Sequence, residues 1–233
     1  MYVMLNSTRK DGNTSLSYGI EEEVLNTRKN FFEKNNILMK NTLVLKVKNT
    51  NEIVEIDDDY LDNHKDLSKE ILEADAVVTK HKNIFFYLNF GDCIPLVIYD
   101  KKQEILALCH LGWHSVNNNL HLVMVEYLMD KFSSRKEDLI VELGPSIKKD
   151  SYIMENPVQL SKKEWSEFLE KVDKDTYKVD LDGYVVHSLK EIGIVDIKVS
   201  DIDTYSNDNY FSNYKENKFN LEKGRFIVGA MLR

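Results

Sequence analysis

Cys93 and His110 are the residues whose types and spacing suggest shared chemistry. The cysteine precedes the apolar run Ile94 to Tyr99 and the histidine follows the run Glu104 to Cys109, with the polar tetrapeptide Asp100, Lys101, Lys102, Gln103 between the runs. Short runs rich in Ile, Leu and Val around a polar turn predict a β-hairpin. With the turn centred between Lys101 and Lys102, antiparallel partners have residue numbers summing to about 203, which sets Cys93 directly opposite His110. Opposed Cβ atoms lie roughly 4.5 to 5.5 Å apart, close enough for thiolate and imidazole to share one metal ion or one proton.

The elements that must position this pair follow from periodicity. Tyr2 to Leu5 is a short apolar start, followed by the polar loop Asn6 to Ser15, where Arg9 and the nearby Gly12 could hold an anion. Apolar residues at helical spacing predict an amphipathic helix over Ile20 to Phe32, stopped at Asn35-Asn36. Thr42 to Val47 alternates into a strand, with Ile53 to Ile56 as its continuation or its partner, and the acidic segment Asp57 to Lys69 reads as an exposed excursion. Ala74 to Thr79 and Ile84 to Phe90 read as buried strands. Beyond the hairpin, Val116 to Phe132 carries a helical stripe beginning just past Gly112, so its first amides would face the Cys93/His110 end. Leu139 to Leu143 is a strand ending in the turn Gly144-Pro145-Ser146-Ile147, whose backbone could face a ligand. Helices are predicted over Val158 to Val172 and Tyr184 to Ile192. Ile197 to Val199 is a strand, Asp201 to Lys223 is polar and Asn-rich, and Phe226 to Leu232 is a closing strand. Strands joined by hairpins as often as by helices favour an α+β single domain, residues 1–233, with mixed, largely antiparallel sheets and flanking helices.

Composition narrows the function. A net charge of −8, with lysines scattered among acids, argues against nucleic acid or anionic membrane as the main partner. Met1 to Ser7 lacks a signal-peptide pattern and no apolar run reaches the roughly 18 residues of a membrane span, so a cytoplasmic protein is expected. In that setting the two cysteines, Cys93 and Cys109, are not expected to form a structural disulfide. Neither G-x-G-x-x-G nor a P-loop is present.

The motifs, taken in order, resemble those of the YfiH/YlmD proteins, also called the laccase-domain or polyphenol-oxidase-like family. They are Ser7-Thr-Arg9 with Asp11-Gly-Asn-Thr-Ser15, Ala74-Asp-Ala-Val-Val-Thr79, Gly91-Asp-Cys-Ile-Pro95, His110-Leu-Gly-Trp113, Leu143-Gly-Pro-Ser-Ile147 with Tyr152, Asp180-Leu181, and Gly224-Arg225. The resemblance implies a YfiH-like fold and a purine nucleoside phosphorylase that acts on purine nucleosides with phosphate, some members also deaminating adenosine. It implies a zinc site of two histidines and one cysteine, with Cys93 and His110 both catalytic and metal-binding, and Arg9, Asp92, Gly144 and Ser146 as substrate-binding positions. The first metal histidine of the family falls on Lys48 or Asn49, so the third zinc ligand is unidentified, with His64, His81 and His114 as substitutes to consider. The family's Ala-Asp-Cys is Gly91-Asp92-Cys93 here, and the arginine after its Gly-Trp pair is His114. Two further readings stand beside the phosphorylase: a Cys-His hydrolase using Cys93 as nucleophile, and a catalytically degenerate binding protein. Six histidines do not plausibly furnish a multi-copper oxidase.

Overall fold

Residues 1–233 are described by a computed structural model. Strand β1 (Tyr2–Asn6) leads through a polar loop to helix α1 (Glu21–Lys34), strands β2 (Thr42–Lys46) and β3 (Ile53–Ile56), and the short helix α2 (Asp58–Asn63). Next come β4 (Ile71–Glu73), β5 (Ala76–Thr79), β6 (Phe85–Phe90) and the hairpin of β7 (Ile94–Asp100) and β8 (Ile105–Leu111). Helices α3 (Trp113–Asn117) and α4 (Leu120–Phe132) precede β9 (Leu139–Leu143). The remainder supplies β10 (Ile153–Glu155), β11 (Leu169–Lys171), β12 (Thr176–Val179), α5 (Leu181–Glu191), β13 (Asp196–Val199), α6 (Asn213–Phe219) and β14 (Phe226–Leu232).

The strands form a five-stranded sheet in the order β1-β14-β6-β2-β4, a six-stranded sheet in the order β13-β9-β7-β8-β5-β3, and a three-stranded sheet β10-β12-β11. Both large sheets are mixed: β2 runs parallel to β4 and β6, β3 to β5, and β9 to β13, while the hairpin and β14 pair antiparallel. This is the expected α+β arrangement with flanking helices.

Side-chain alternation sets the layers, because successive strand residues face opposite sides of a sheet. On β6, Phe86, Leu88 and Phe90 point inward and meet Val97, Leu106 and Leu108 of the six-stranded sheet in one buried core. Phe85 and Tyr87 point outward and are covered by Phe31 and Phe32 of α1. On the other side, Leu96, Ile98, Ala107 and Cys109 face a second core closed by α4 and α5 through Leu120, Met124, Leu128, Val185 and Leu189. The result is a helix, sheet, sheet, helix stack. Cys109 lies in the helix-side core while His110 faces the other sheet, so Cys93 and Cys109 belong to different layers and both are free thiols.

Three expectations are corrected. The predicted helix Val116 to Phe132 is two helices, broken where Asn119 adopts a left-handed conformation (φ 56°) that asparagine tolerates. The helix expected over Val158 to Val172 is two 3₁₀ turns followed by β11. Trp165 is the one fully buried apolar residue there, stacked on Tyr184 at 3.9 Å, while Val158, Leu160 and Val172 are exposed, so no apolar face exists for a helix to bury. Ile53 to Ile56 neither continues nor pairs with β2 but joins β5 in the other sheet, after a turn in which Asn49 and Asn51 take positive φ.

His121 of α4 is fully buried, with neither ring nitrogen hydrogen-bonded, and burial lowers its pKa to about 4. Its folded pKa is below the unfolded value, so between about 6.5 and about 4 the unfolded chain binds more protons and stability falls as pH falls. His121→Phe is expected to remove up to about 3 kcal/mol of that loss, read as a flatter pH dependence of urea-unfolding free energy. An unaltered slope would refute this account.

Candidate functional site

The β7–β8 hairpin forms two residues out of the expected pairing register, its turn centre displaced by one residue. Pro95 faces His110 and Ile94 faces Leu111, so Cys93 is not directly opposite His110. The cause is Asp100, whose carboxylate accepts the N–H groups of Lys102 and Gln103 at 2.8 Å and shifts the turn to Lys101 through Glu104, where Glu104 takes a positive φ. Cys93 then lies just before the ladder, on the bend that leaves β6.

The two side chains still converge, on Gly112. A Cβ there would stand 3.3 Å from Cys93 Sγ and 3.2 Å from His110 Cε1, so thiol and ring occupy the space that glycine leaves open. His110 leans on Phe90 with ring centroids 5.4 Å apart, and its buried Nδ1 has no partner. Burial pushes the Cys93 thiol up to about 12, with the neighbouring Asp92 charge adding to the shift, and pulls His110 down to about 4. In these surroundings the pair is an uncharged thiol beside an uncharged imidazole.

Asp75 fixes the neighbouring loop. Its carboxylate accepts backbone N–H groups from Lys48 (2.9 Å), Asn49 (2.7 Å), Thr50 (2.6 Å) and Glu52 (3.4 Å), and its carbonyl accepts the N–H of His110 at 2.8 Å. Burial raises its pKa, but these donors outweigh it and hold the carboxyl below its ordinary value. The loop carrying Lys48 and Asn49 is thus brought beside His110, yet the Lys48 ammonium turns to Glu52 at 2.7 Å. His64 is stacked on Tyr60, His81 lies 3.5 Å from Asp58, and the exposed His114 stacks on Trp113. No group of three or more His, Cys, Asp or Glu side chains is arranged to hold a metal ion. Two donors converge where a tetrahedral zinc site draws on three or four protein ligands, so the residues present do not fit the implied zinc set.

Asp92, at φ 92°, turns its carboxylate away from the pair, accepting from Thr204 Oγ1 at 2.8 Å and the Tyr214 N–H at 2.6 Å. Burial raises its pKa against those bonds. Arg9 donates from Nε to the Tyr210 carbonyl at 2.8 Å and lies 3.4 Å from Glu216. Glu216 is fully buried and also pairs with Arg225 at 3.0 Å. A Cβ at Gly91 would be 2.9 Å from Arg225 Cδ, so glycine replaces the family's alanine where the arginine packs flat on the chain leading to Cys93.

The turn after β9 closes the other side. The Gly144 N–H donates to the Pro95 carbonyl at 2.8 Å and the Ile147 N–H to the Asp92 carbonyl at 2.9 Å, holding the turn against both flanks of Cys93. The Ser146 hydroxyl is spent on Asp182 at 3.1 Å and receives Lys148 Nζ at 3.0 Å. Glu216, Asp75 and Gly112 were not singled out as site residues from sequence. Glu216 sits in a polar, Asn-rich stretch with no local signal, whereas Asp75 and Gly112 stand inside motifs that already drew notice.

Two solved structures share this fold. YlmD from Geobacillus stearothermophilus superposes with TM-score 0.88 at 19% identity, covering 100% of this chain and 92% of that one. The YfiH protein of Bacillus licheniformis gives 0.82 at 21% identity, covering 95% and 85%. The chain belongs to the family described as multi-copper polyphenol oxidoreductase laccase, whose model matches residues 7–233, the family of the YfiH and YlmD proteins. A relative in Clostridium acetobutylicum named purine nucleoside phosphorylase is 27% identical over 228 residues, 94% of this chain and 93% of its own length. One of the same name in Rickettsia prowazekii is 27% identical over 185 residues, 76% and 70% of the two chains. A protein named adenosine deaminase RL5, from an unknown prokaryotic organism, is 30% identical over 79 residues, 34% of this chain and 30% of its own length. No helix is long and apolar enough to cross a membrane.

Proposed function

We propose that this protein cleaves purine nucleosides with inorganic phosphate, residues 1–233 acting as one unit. The observation that carries the reading is the convergence of Cys93 and His110 on Gly112, in a chain aligned nearly end to end with a relative named purine nucleoside phosphorylase. A phosphate oxygen bonds to C1′ of the ribose, the C1′–N9 bond breaks with its electron pair passing to the purine, and the base takes up a proton. Hydrogen phosphate gives up one proton as it becomes the sugar phosphate, so the balance closes. His110, with its unpartnered Nδ1, hydrogen-bonds the leaving base and passes that proton, and the Cys93 thiol holds the imidazole in place. Arg9 is assigned to phosphate, since one carboxylate shared by Arg9 and Arg225 leaves a net positive charge. The turn at Gly144 and Ser146, held by backbone bonds to Pro95 and Thr204, borders the nucleoside, and Asp92 orders the bend beneath it.

The zinc implied by the resemblance requires a donor beyond Cys93 and His110, and no step is routed through it. That incomplete donor set favours one second reading, a nucleoside-binding protein without turnover. Hypoxanthine release from inosine, measured with and without phosphate, separates the two: phosphate-dependent release supports the phosphorylase, and bound but uncleaved inosine sinks it. In the same assay Gly112→Ala is expected to lower turnover at least about tenfold by displacing thiol and ring a few tenths of an ångström, with little change in melting temperature. Full activity in that variant would remove the pair from the mechanism.

A further inference from the structure

Arg28 of α1 is a buried cation with no carboxylate beside it. It is 8% exposed, its Nε donates to the Thr14 carbonyl at 2.7 Å, and its guanidinium carbon lies 5.7 Å from the centre of the Tyr87 ring. The next acid along α1, Glu33, pairs with Lys29. The Arg28 side chain lines a cavity of about 500 Å³ between α1 and the outer face of the five-stranded sheet. Leu25, Phe32 and Met39 give this cavity an apolar wall, and Lys29 adds a second cation to its lining. Burying an uncompensated charge is expensive, and an oxyanion accepting from a guanidinium fork restores the balance.

We propose that this cavity binds a small molecule with one oxyanion headgroup, phosphate or carboxylate, on an aromatic or apolar body, the headgroup resting on Arg28. The volume suits a ligand of that size. The site stands apart from Cys93 and His110 and does not depend on the phosphorylase reading. Tyr87 and Phe85 face outward under α1, whereas Phe90 faces inward against His110, so the two sites lie on opposite faces of β6. Glu22, which also lines the cavity, opposes the anion and weakens its binding.

Calorimetric titration with phenyl phosphate tests the assignment, with inorganic phosphate and benzoate as companion probes. Phenyl phosphate is expected to bind once per chain and more tightly than inorganic phosphate, unaffected by saturating inosine. Benzoate binding reports a carboxylate-accepting site, and phenyl phosphate alone a phosphate-selective one; either supports the proposal. Arg28→Gln is expected to weaken binding at least about tenfold, Lys29→Ala about threefold, and Glu22→Gln to tighten it. The two exposed-residue variants keep the test decisive where Arg28→Gln does not fold. Absence of binding by both organic probes, affinity unchanged in the Arg28 and Lys29 variants, or displacement by inosine overturns the proposal, and equal affinity for inorganic phosphate overturns the apolar-body requirement.

Discussion

Phosphate-dependent release of hypoxanthine from inosine is expected to fall about 10²- to 10⁴-fold when His110 is replaced by alanine, the range typical of a positioned proton-transfer group. His110 is 9% exposed and its Nδ1 has no partner within the protein, so its polar chemistry is not spent on the fold. In the proposed reaction the ring meets the leaving base as the glycosidic bond opens, while ribose and phosphate are held by other groups, so the loss should fall mainly on kcat. Removing the ring leaves a hole beside Phe90, so circular dichroism and melting temperature must accompany the kinetics. A folded His110→Ala protein with turnover within a few-fold of the parent would exclude His110 from the chemistry.

Glu216→Gln is expected to cost about 3 to 5 kcal/mol of stability, the penalty for removing one partner from a buried ion cluster. For a chain of this length that corresponds to a melting temperature lower by roughly 10 °C. The carboxylate is fully buried between Arg9 and Arg225, and glutamine keeps the shape while discarding the charge that balances both guanidiniums. The disturbance should reach the candidate site, since Arg225 packs on Gly91, two residues before Cys93. Thermal unfolding by calorimetry reads the effect, and an unchanged melting temperature would show that the arginines find other partners at no cost.

Local patterns were legible where periodicity and burial agree. The strands of the hairpin, the α1 helix with its stop at Asn35-Asn36, and the closing strand at Phe226 to Leu232 are all short-range signals that packing reinforces. The hairpin register was not legible, because it turns on which residue caps the turn, and Asp100 does so with two backbone bonds that composition does not announce. The placement of β2 and β3 in different sheets depends on Asp75 gathering the amides of a loop more than twenty residues upstream. Arg9 was visible as an anion-binding candidate, but its partner Glu216 lies 207 positions away in a stretch that reads as solvated loop. Nothing in the sequence singles out Arg28 among the charges of the α1 helix. Only the fold shows that it faces the sheet.

The pairing of β1 with β14 has a practical consequence for handling this protein. Tyr2 lies against Leu232 and the Arg233 N–H donates to the Met1 carbonyl at 3.0 Å, so the first and last residues meet at one corner. That corner is at the far end of β14 from Phe226, which pairs with Phe90 near the Cys93 bend. A fused reporter at either end would project away from the reactive pair. A short bridge from 233 to 1, with new ends cut in the exposed turn at Lys101 to Glu104, would give a circular permutant that retains every strand. Tethered by both ends in an optical trap, the molecule would open like a zipper, with the strand at the sheet's edge peeling first.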